Sequence, residues 1–135
     1  FDENFPVCED YDFWLRVSCR EKISFIEEPL TFKFGGHNDQ LSKTYWGMDR
    51  FRVRAIEKLL LTNYLSSDQK LAAKTMLRKK LNILISGAKK RNNRNIIEAY
   101  SKKLEELDKL FCEGNKAKGE QADETNGRYP MGCGT

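Results

Sequence analysis

The sequence predicts a mixed α/β segment followed by a mostly α-helical extension. Apolar and polar residues alternate with period two only in the first part of the chain, which is typical of strands. After Lys43 the apolar residues recur at helical spacing instead. We therefore divide the chain into an α/β segment over residues 1–47, a helical extension over 48–112, and a tail over 113–135.

The α/β segment is predicted to contain one helix and two strands. Glu9 and Asp10 precede an apolar pattern, and acidic residues suit the positive end of a helix dipole, so we expect a helix over residues 9–20. Alternation then predicts two short strands, at Lys22–Ile26 and Leu30–Phe34.

The extension is predicted to contain three helices. The first runs from Met48 to about Tyr64, and Ser66, Ser67 and Asp68 are good caps for the second. Apolar stripes mark the second and third helices, with Leu77, Leu81, Leu84 and Ala88 on one and Ile97, Tyr100, Leu104, Leu107 and Phe111 on the other. A short polar turn between them favours an antiparallel hairpin. The tail is rich in small and charged residues, and we expect it to be disordered.

Composition excludes several classes of protein. The 135 residues carry a net charge of +4, which by itself does not indicate nucleic-acid binding. The sequence contains no run of eighteen apolar residues, so no membrane span is predicted. The four cysteines and one histidine form no zinc or disulfide pattern, so reduced thiols in the cytoplasm are expected. Because the first residue is Phe, we expect a fragment of a longer reading frame.

Three carboxylates cluster where the first loop meets the first helix. Glu9, Asp10 and Asp12 lie within four positions of each other, and such a junction presents side chains toward a cleft. A carboxylate there could take a proton from an acceptor hydroxyl during group transfer. The alternative is that Glu9 and Asp10 only cap the helix and that Asp12 faces water. Spacing alone leaves both interpretations open.

Two separated motifs carry a family resemblance. Phe1-Asp2-Glu3, a short spacer, and Glu9-Asp10-Tyr11-Asp12-Phe13-Trp14-Leu15-Arg16 resemble the catalytic-acid region of family 2 inverting glycosyltransferases, which have the GT-A fold. The stretches Gly35–Ser42 and Tyr45–Arg52 resemble the sequel in one bacterial-type subgroup. The resemblance implies that residues 1–47 are the C-terminal part of a glycosyltransferase core.

The resemblance also implies roles for three residues. Asp10 would be the general base that deprotonates the acceptor hydroxyl, and Glu9 would help bind the acceptor. His37 would contact a divalent cation, manganese or magnesium, or the diphosphate of the donor. The implied substrates are a nucleotide-sugar donor and a saccharide or lipid-linked acceptor. The implied location is the cytoplasm, with peripheral association at the inner face of the membrane only through the acceptor.

The family's metal-binding Asp-x-Asp motif has no counterpart before the catalytic segment. We therefore expect that the nucleotide-binding half is missing and that this chain alone does not transfer sugar. The alternative function is a non-enzymatic helical protein-interaction module that uses the apolar stripes of residues 48–112. Trp14 and Trp46 could stack on a sugar, although Trp14 also suits a packed core.

Overall fold

The computed structural model describes residues 1–32, 34 and 44–119, and gives residues 111–119 as helical backbone. In this part of the chain four helices follow one another. They are α1 (Glu9–Ser18), α2 (Asp49–Leu60), α3 (Ser67–Lys90) and α4 (Arg94–Gly119). Helix α1 packs on α2, α2 on α3, and α3 on α4.

The predicted α/β fold class is wrong. No strand occurs among the described residues, and the two stretches predicted as strands, as far as they are described, have no regular secondary structure. Period-two alternation favours a strand only where a neighbouring strand pairs with its backbone groups. The described part of the chain supplies no such neighbour, so its architecture is all-helical and the predicted GT-A core is overturned.

The predicted helices are present in the structure, although α2 ends at Leu60, four residues before its predicted end near Tyr64. Helix α1 ends two residues before its predicted end, and the two long helices form the predicted hairpin across the turn 91–93. Helix α3 begins with a capping box, in which the Ser66 hydroxyl accepts from the Gln69 backbone N–H at 3.2 Å and the Gln69 amide oxygen accepts from the Ser66 N–H at 2.9 Å. This reciprocal pair satisfies two backbone donors at the helix start.

The hydrophobic core lies between α2, α3 and α4. Its buried members share one face of each helix and are Val53, Ile56, Ala73, Leu77, Leu81, Leu84 and Leu107. Tyr11 and Leu15 of α1, together with Leu60, Tyr100 and Leu104, pack against this cluster. The stripes predicted from helical spacing therefore face each other. Phe111 lies outside the residues whose side chains are described.

Two further features complete the fold. Helix α4 continues to Gly119, seven residues into the predicted tail, and residues 120–135 lie outside the described residues. Gly47, just before α2, has a backbone φ of +60°, which a residue with a Cβ adopts only at a cost. Among the described helices, none has the length and apolar character required to cross a membrane.

Candidate functional site

The loop before α1 is a compact, anchored structure. The Asp2 carboxylate accepts hydrogen bonds from the backbone and side-chain nitrogens of Asn4, both at 2.9 Å. Phe5 and Val7 are buried, and Cys8 enters α1 with a positive φ of 61°. The loop is therefore held by the Asp2–Asn4 hydrogen bonds before the bend at Cys8 and by the buried side chains of Phe5 and Val7. This anchoring fixes the position of the first turn of α1.

An ion cluster joins this loop and α1 to α2. Lys58 of α2 donates to Asp2 Oδ2 at 2.7 Å and lies 3.0 Å from Asp12 Oδ1. Arg16 Nε donates to Asp12 Oδ2 at 3.1 Å. These hydrogen bonds from Lys58 and Asn4 hold the pKa of Asp2 well below its usual range, and the bond to Asp2 raises the pKa of Lys58.

Asp12 has a structural role. It is the one charged side chain buried among the described residues, with 1% of its surface exposed, and both of its oxygens are engaged by cations. A buried carboxylate with these partners anchors α1 against α2. The interpretation that Asp12 faces water is wrong.

Asp10 and Glu9 are placed differently from Asp12. Both lie in the first turn of α1, where the helix dipole favours negative charge. Asp10 is exposed, and its Oδ1 accepts from the Tyr11 backbone N–H at 2.7 Å. Glu9 is partly buried. The carboxylate predicted as a general base is thus open to a substrate and sits on a helix whose other face is fixed in the protein.

The predicted metal contact cannot be assembled from the described residues. His37 lies outside them, together with the Gly35–Ser42 motif. Among the residues that the structure describes, no three His, Cys, Asp or Glu side chains converge as metal ligands. Asp2 and Asp12 are already engaged by Lys58. Cation binding through His37 therefore stays a prediction.

Cys8 has the properties of a structural thiol. Its side chain is buried, and its Sγ lies 3.9 Å from the Met48 carbonyl oxygen. Burial raises the pKa of this thiol, and Asp10 and Glu9 act in the same direction against the opposing charge of Arg52. A thiol with a raised pKa is a poor nucleophile.

The Tyr45–Arg52 motif lies at the start of α2 and contacts both its own helix and α3. Asp49 binds Arg52 at 2.8 Å and Lys80 of α3 at 3.0 Å. Burial alone would raise the pKa of Asp49, but these two partners lower it overall. The Arg50 guanidinium lies 4.6 Å from the centre of the Trp46 ring. The pair of Asp49 with Lys80 links α2 to α3.

The two tryptophans are both partly open to solvent. Trp14 is 55% exposed, so its expected packing in the core is wrong. Its ring meets Phe13 edge-on at 5.3 Å. Trp46 is 49% exposed and lines a cavity of about 480 Å³ with Ala88, Arg91 and Ile96. Stacking of either ring on a sugar stays a prediction.

The most unusual surface is the stretch that was predicted to form strands. We call residues 22–32 and Phe34 the apolar segment. Its six large apolar side chains have exposed fractions between 57% and 89%, and are Ile23, Phe25, Ile26, Leu30, Phe32 and Phe34. Within the described part of the chain, the backbone of residues 22–32 makes no hydrogen bond. Such a surface usually marks an interaction site.

Sequence reasoning missed two of these features. It did not identify Lys58, whose partners Asp2 and Asp12 are 56 and 46 residues away in the chain, so no local pattern marked it. It identified the apolar segment correctly as apolar and alternating, but assigned it to a sheet inside the chain.

No protein-family model, curated protein or solved structure was found to match this chain. The resemblance to family 2 glycosyltransferases therefore depends on its two quoted motifs.

Proposed function

We propose that this protein is a helical protein-interaction module whose contact surface is the apolar segment. The observation that carries the proposal is the exposure of six large apolar side chains along this one stretch. Single exposed apolar residues are ordinary, whereas contiguous ones favour a partner. Burying each of these side chains is worth about 1.5–3 kcal/mol. The helices that follow in sequence supply a stable support for the segment.

The backbone of the apolar segment favours a particular kind of partner. Its described residues have neither helix nor strand, their backbone hydrogen-bonding groups are unpaired within the described part of the chain, and apolar and polar side chains alternate along the segment. A segment of this kind adds to the exposed edge of a β-sheet, where backbone hydrogen bonds give affinity and alternate side chains enter pockets. We therefore propose that the partner presents a sheet edge. Pro29 divides the segment into two pairing stretches, because proline cannot donate a ladder hydrogen bond.

Photo-crosslinking in cells identifies the partner. A benzoylphenylalanine placed at Phe25 or Phe32 should capture one defined protein, while the same group at Leu110, an exposed apolar position on α4, should not. The partner is then purified and titrated with the chain. Replacement of Phe25 by Asp should weaken binding at least about tenfold, because a charge would enter an apolar pocket.

Paired substitutions test the sheet edge separately. Ser24→Pro and Thr31→Pro each remove a backbone donor, whereas Ser24→Ala and Thr31→Ala change only the side chain. We expect the proline variants to weaken binding at least about tenfold and the alanine variants to leave it within about twofold. Equal affinities for each matched pair would contradict pairing through the backbone. Identical capture at Leu110 would contradict the apolar segment as the contact.

A second function is favoured by the placement of Asp10. We propose that, in a glycosyl transfer reaction of the complete protein or assembly, Asp10 acts as the general base. The support is the motif resemblance, together with an exposed carboxylate on a helix that Asp12, Lys58 and Arg16 hold in place. The proposal requires that the donor-binding residues lie outside the described helices. This role of Asp10 is compatible with docking of the apolar segment onto a partner's sheet, since the partner could supply the donor site.

Asp10→Asn is the test of this second function. The amide keeps the shape of the carboxylate but cannot accept a proton, so transfer should fall about 10²–10⁴-fold while donor binding is unchanged. Transfer is measured with radiolabelled uridine diphosphate sugars and with saccharide and lipid-linked acceptors, using the longest protein that the reading frame encodes. Glu21→Gln, at an exposed carboxylate outside both motifs, is the control. An Asp10→Asn rate within about threefold of the unmodified protein would remove Asp10 from this role.

A further inference from the structure

Positive charge is concentrated in the helical hairpin. Residues 69–97 contain nine lysines and arginines and neither an aspartate nor a glutamate. Among these cations, Lys80 lies 3.0 Å from Asp49 and Arg78 pairs with Asp108, both carboxylates of other helices. Three others, Lys79, Lys90 and Arg91, line one depression on the outer side of α3 and its C-terminal end. This side of the hairpin therefore has a positive potential.

Helix α3 presents a long face away from the core. Its buried residues lie on one side, and the opposite side forms two adjoining shallow depressions of about 510 and 640 Å³ that share Lys79. We call this side the α3 outer face; it consists of Leu71, Ala72, Thr75, Met76, Lys79, Asn82, Ile83, Ser86 and Lys90. The helix has 24 residues, so the face is about 36 Å long.

The α3 outer face mixes cations with exposed aliphatic side chains. Leu71, Met76 and Ile83 have exposed fractions between 39% and 56%. Lys79 and Lys90 are exposed between and beyond them, and neither makes an ion pair within the described part of the chain. The acidic group facing this side is Asp68, at the beginning of the helix.

We propose that the α3 outer face binds the surface of an anionic phospholipid bilayer. A flat, basic helix face with interspersed aliphatic side chains can lie in the headgroup region, with its lysines at the phosphates and its aliphatic groups at the acyl boundary. Nucleic acid fits less well, because the face offers no aromatic ring on which a base could stack. This inference rests on charge and exposure in α3 and is independent of the function proposed for the apolar segment.

Vesicle sedimentation tests the proposal. The purified chain is mixed with vesicles of phosphatidylcholine alone or with about 30% phosphatidylglycerol, at low and at high salt. We expect binding only to the anionic vesicles, with a partition coefficient that falls as salt rises. Each lysine near an anionic surface contributes about fivefold to partitioning, so the double variant K79Q/K90Q should bind about 25-fold more weakly.

Two controls separate this face from net charge. The variant K102Q/K109Q removes the same charge from exposed positions on α4, and it should weaken binding less than about threefold. Ile83→Asn should weaken binding without changing its salt dependence, because it removes an aliphatic contact only. All variants change exposed side chains and should melt like the unmodified chain.

Three outcomes would overturn the proposal. The first is equal binding to neutral and anionic vesicles, or none to either. The second is an equal loss in K79Q/K90Q and K102Q/K109Q, which would mean that net charge rather than the α3 outer face is responsible. The third is tight binding to a duplex or single-stranded oligonucleotide in the absence of vesicle binding, which would assign the basic face to nucleic acid.

Discussion

Asp12→Asn should destabilise the fold, although it replaces one oxygen by an NH₂ group. The Asp12 carboxylate is buried at the α1–α2 contact and accepts from Arg16 at 3.1 Å and from Lys58 at 3.0–3.1 Å. The amide retains one acceptor oxygen and loses the charge. Its NH₂ group, which can only donate, faces cationic donors. Even if the amide oxygen takes the place of Oδ2, which accepts from both cations, the bonds lose the carboxylate charge, and the NH₂ group replaces the Oδ1 that lies 3.0 Å from Lys58 Nζ.

The magnitude follows from how exposed the partners are. Breaking a fully buried ion pair typically costs about 3–5 kcal/mol, and losing a hydrogen bond to a charged group costs about 1.5–3 kcal/mol. The side chains of Lys58 and Arg16 are 40% and 36% exposed, so both can regain water, and Lys58 keeps its bond to Asp2. The lower range therefore applies, and we expect a loss of about 2 kcal/mol.

Urea unfolding followed by circular dichroism measures this loss. For a chain of this size, about 2 kcal/mol corresponds to a decrease in melting temperature of roughly 6–8 °C. Asp10→Asn is the matched control, since it makes the same chemical change two residues earlier at an exposed position, and it should leave stability within about 0.5 kcal/mol. Equal losses in the two variants would refute the division between a structural Asp12 and an available Asp10.

The remaining predictions concern the core, the backbone and pH. Leu81 is fully buried in the core, so Leu81→Ala should lower the free energy of unfolding by about 2–5 kcal/mol, measured by thermal or urea unfolding. Lys79→Ala, on an exposed side of α3, should change it little. Equal, negligible changes in both variants would show that the hairpin is not packed. Gly47→Ala should destabilise the fold by about 1 kcal/mol because the backbone φ of Gly47 is +60°. Gly87→Ala, inside α3, should instead stabilise it by up to about 1 kcal/mol, with the Arg91 side chain moving aside to make room for the new methyl group. A change in unfolding free energy of the same sign in both variants would argue against the backbone explanation. The lowered pKa of Asp2 contributes stability that is present above the usual aspartate range near about 3.9 and is lost as pH falls toward the folded-state pKa. Urea midpoints between about pH 5 and 2 should therefore fall less steeply in Asp2→Asn than in the unmodified chain, and parallel curves would contradict this assignment.

The sequence by itself determined the helices of this protein. Helical spacing placed Leu77, Leu81 and Leu84 on one face of α3, and these residues are buried there. The Ser66 cap was also predictable, because a capping box requires only side chains within one helix turn. Periodicity and capping are local properties, since the interacting groups lie within a few residues of each other in the chain.

Tertiary structure decided the features that depend on distant residues. Alternation in the apolar segment indicated strands, but a strand forms only with a partner, and the described part of the chain contains none for it. Likewise, the spacing of Asp10 and Asp12 gave no reason to separate them. Lys58, 46 residues beyond Asp12 in the chain, pairs with the buried Asp12 carboxylate, whereas the Asp10 carboxylate stays exposed. Local pattern does not encode such pairings, because the free energy that selects them comes from contacts made only when α1 packs on α2.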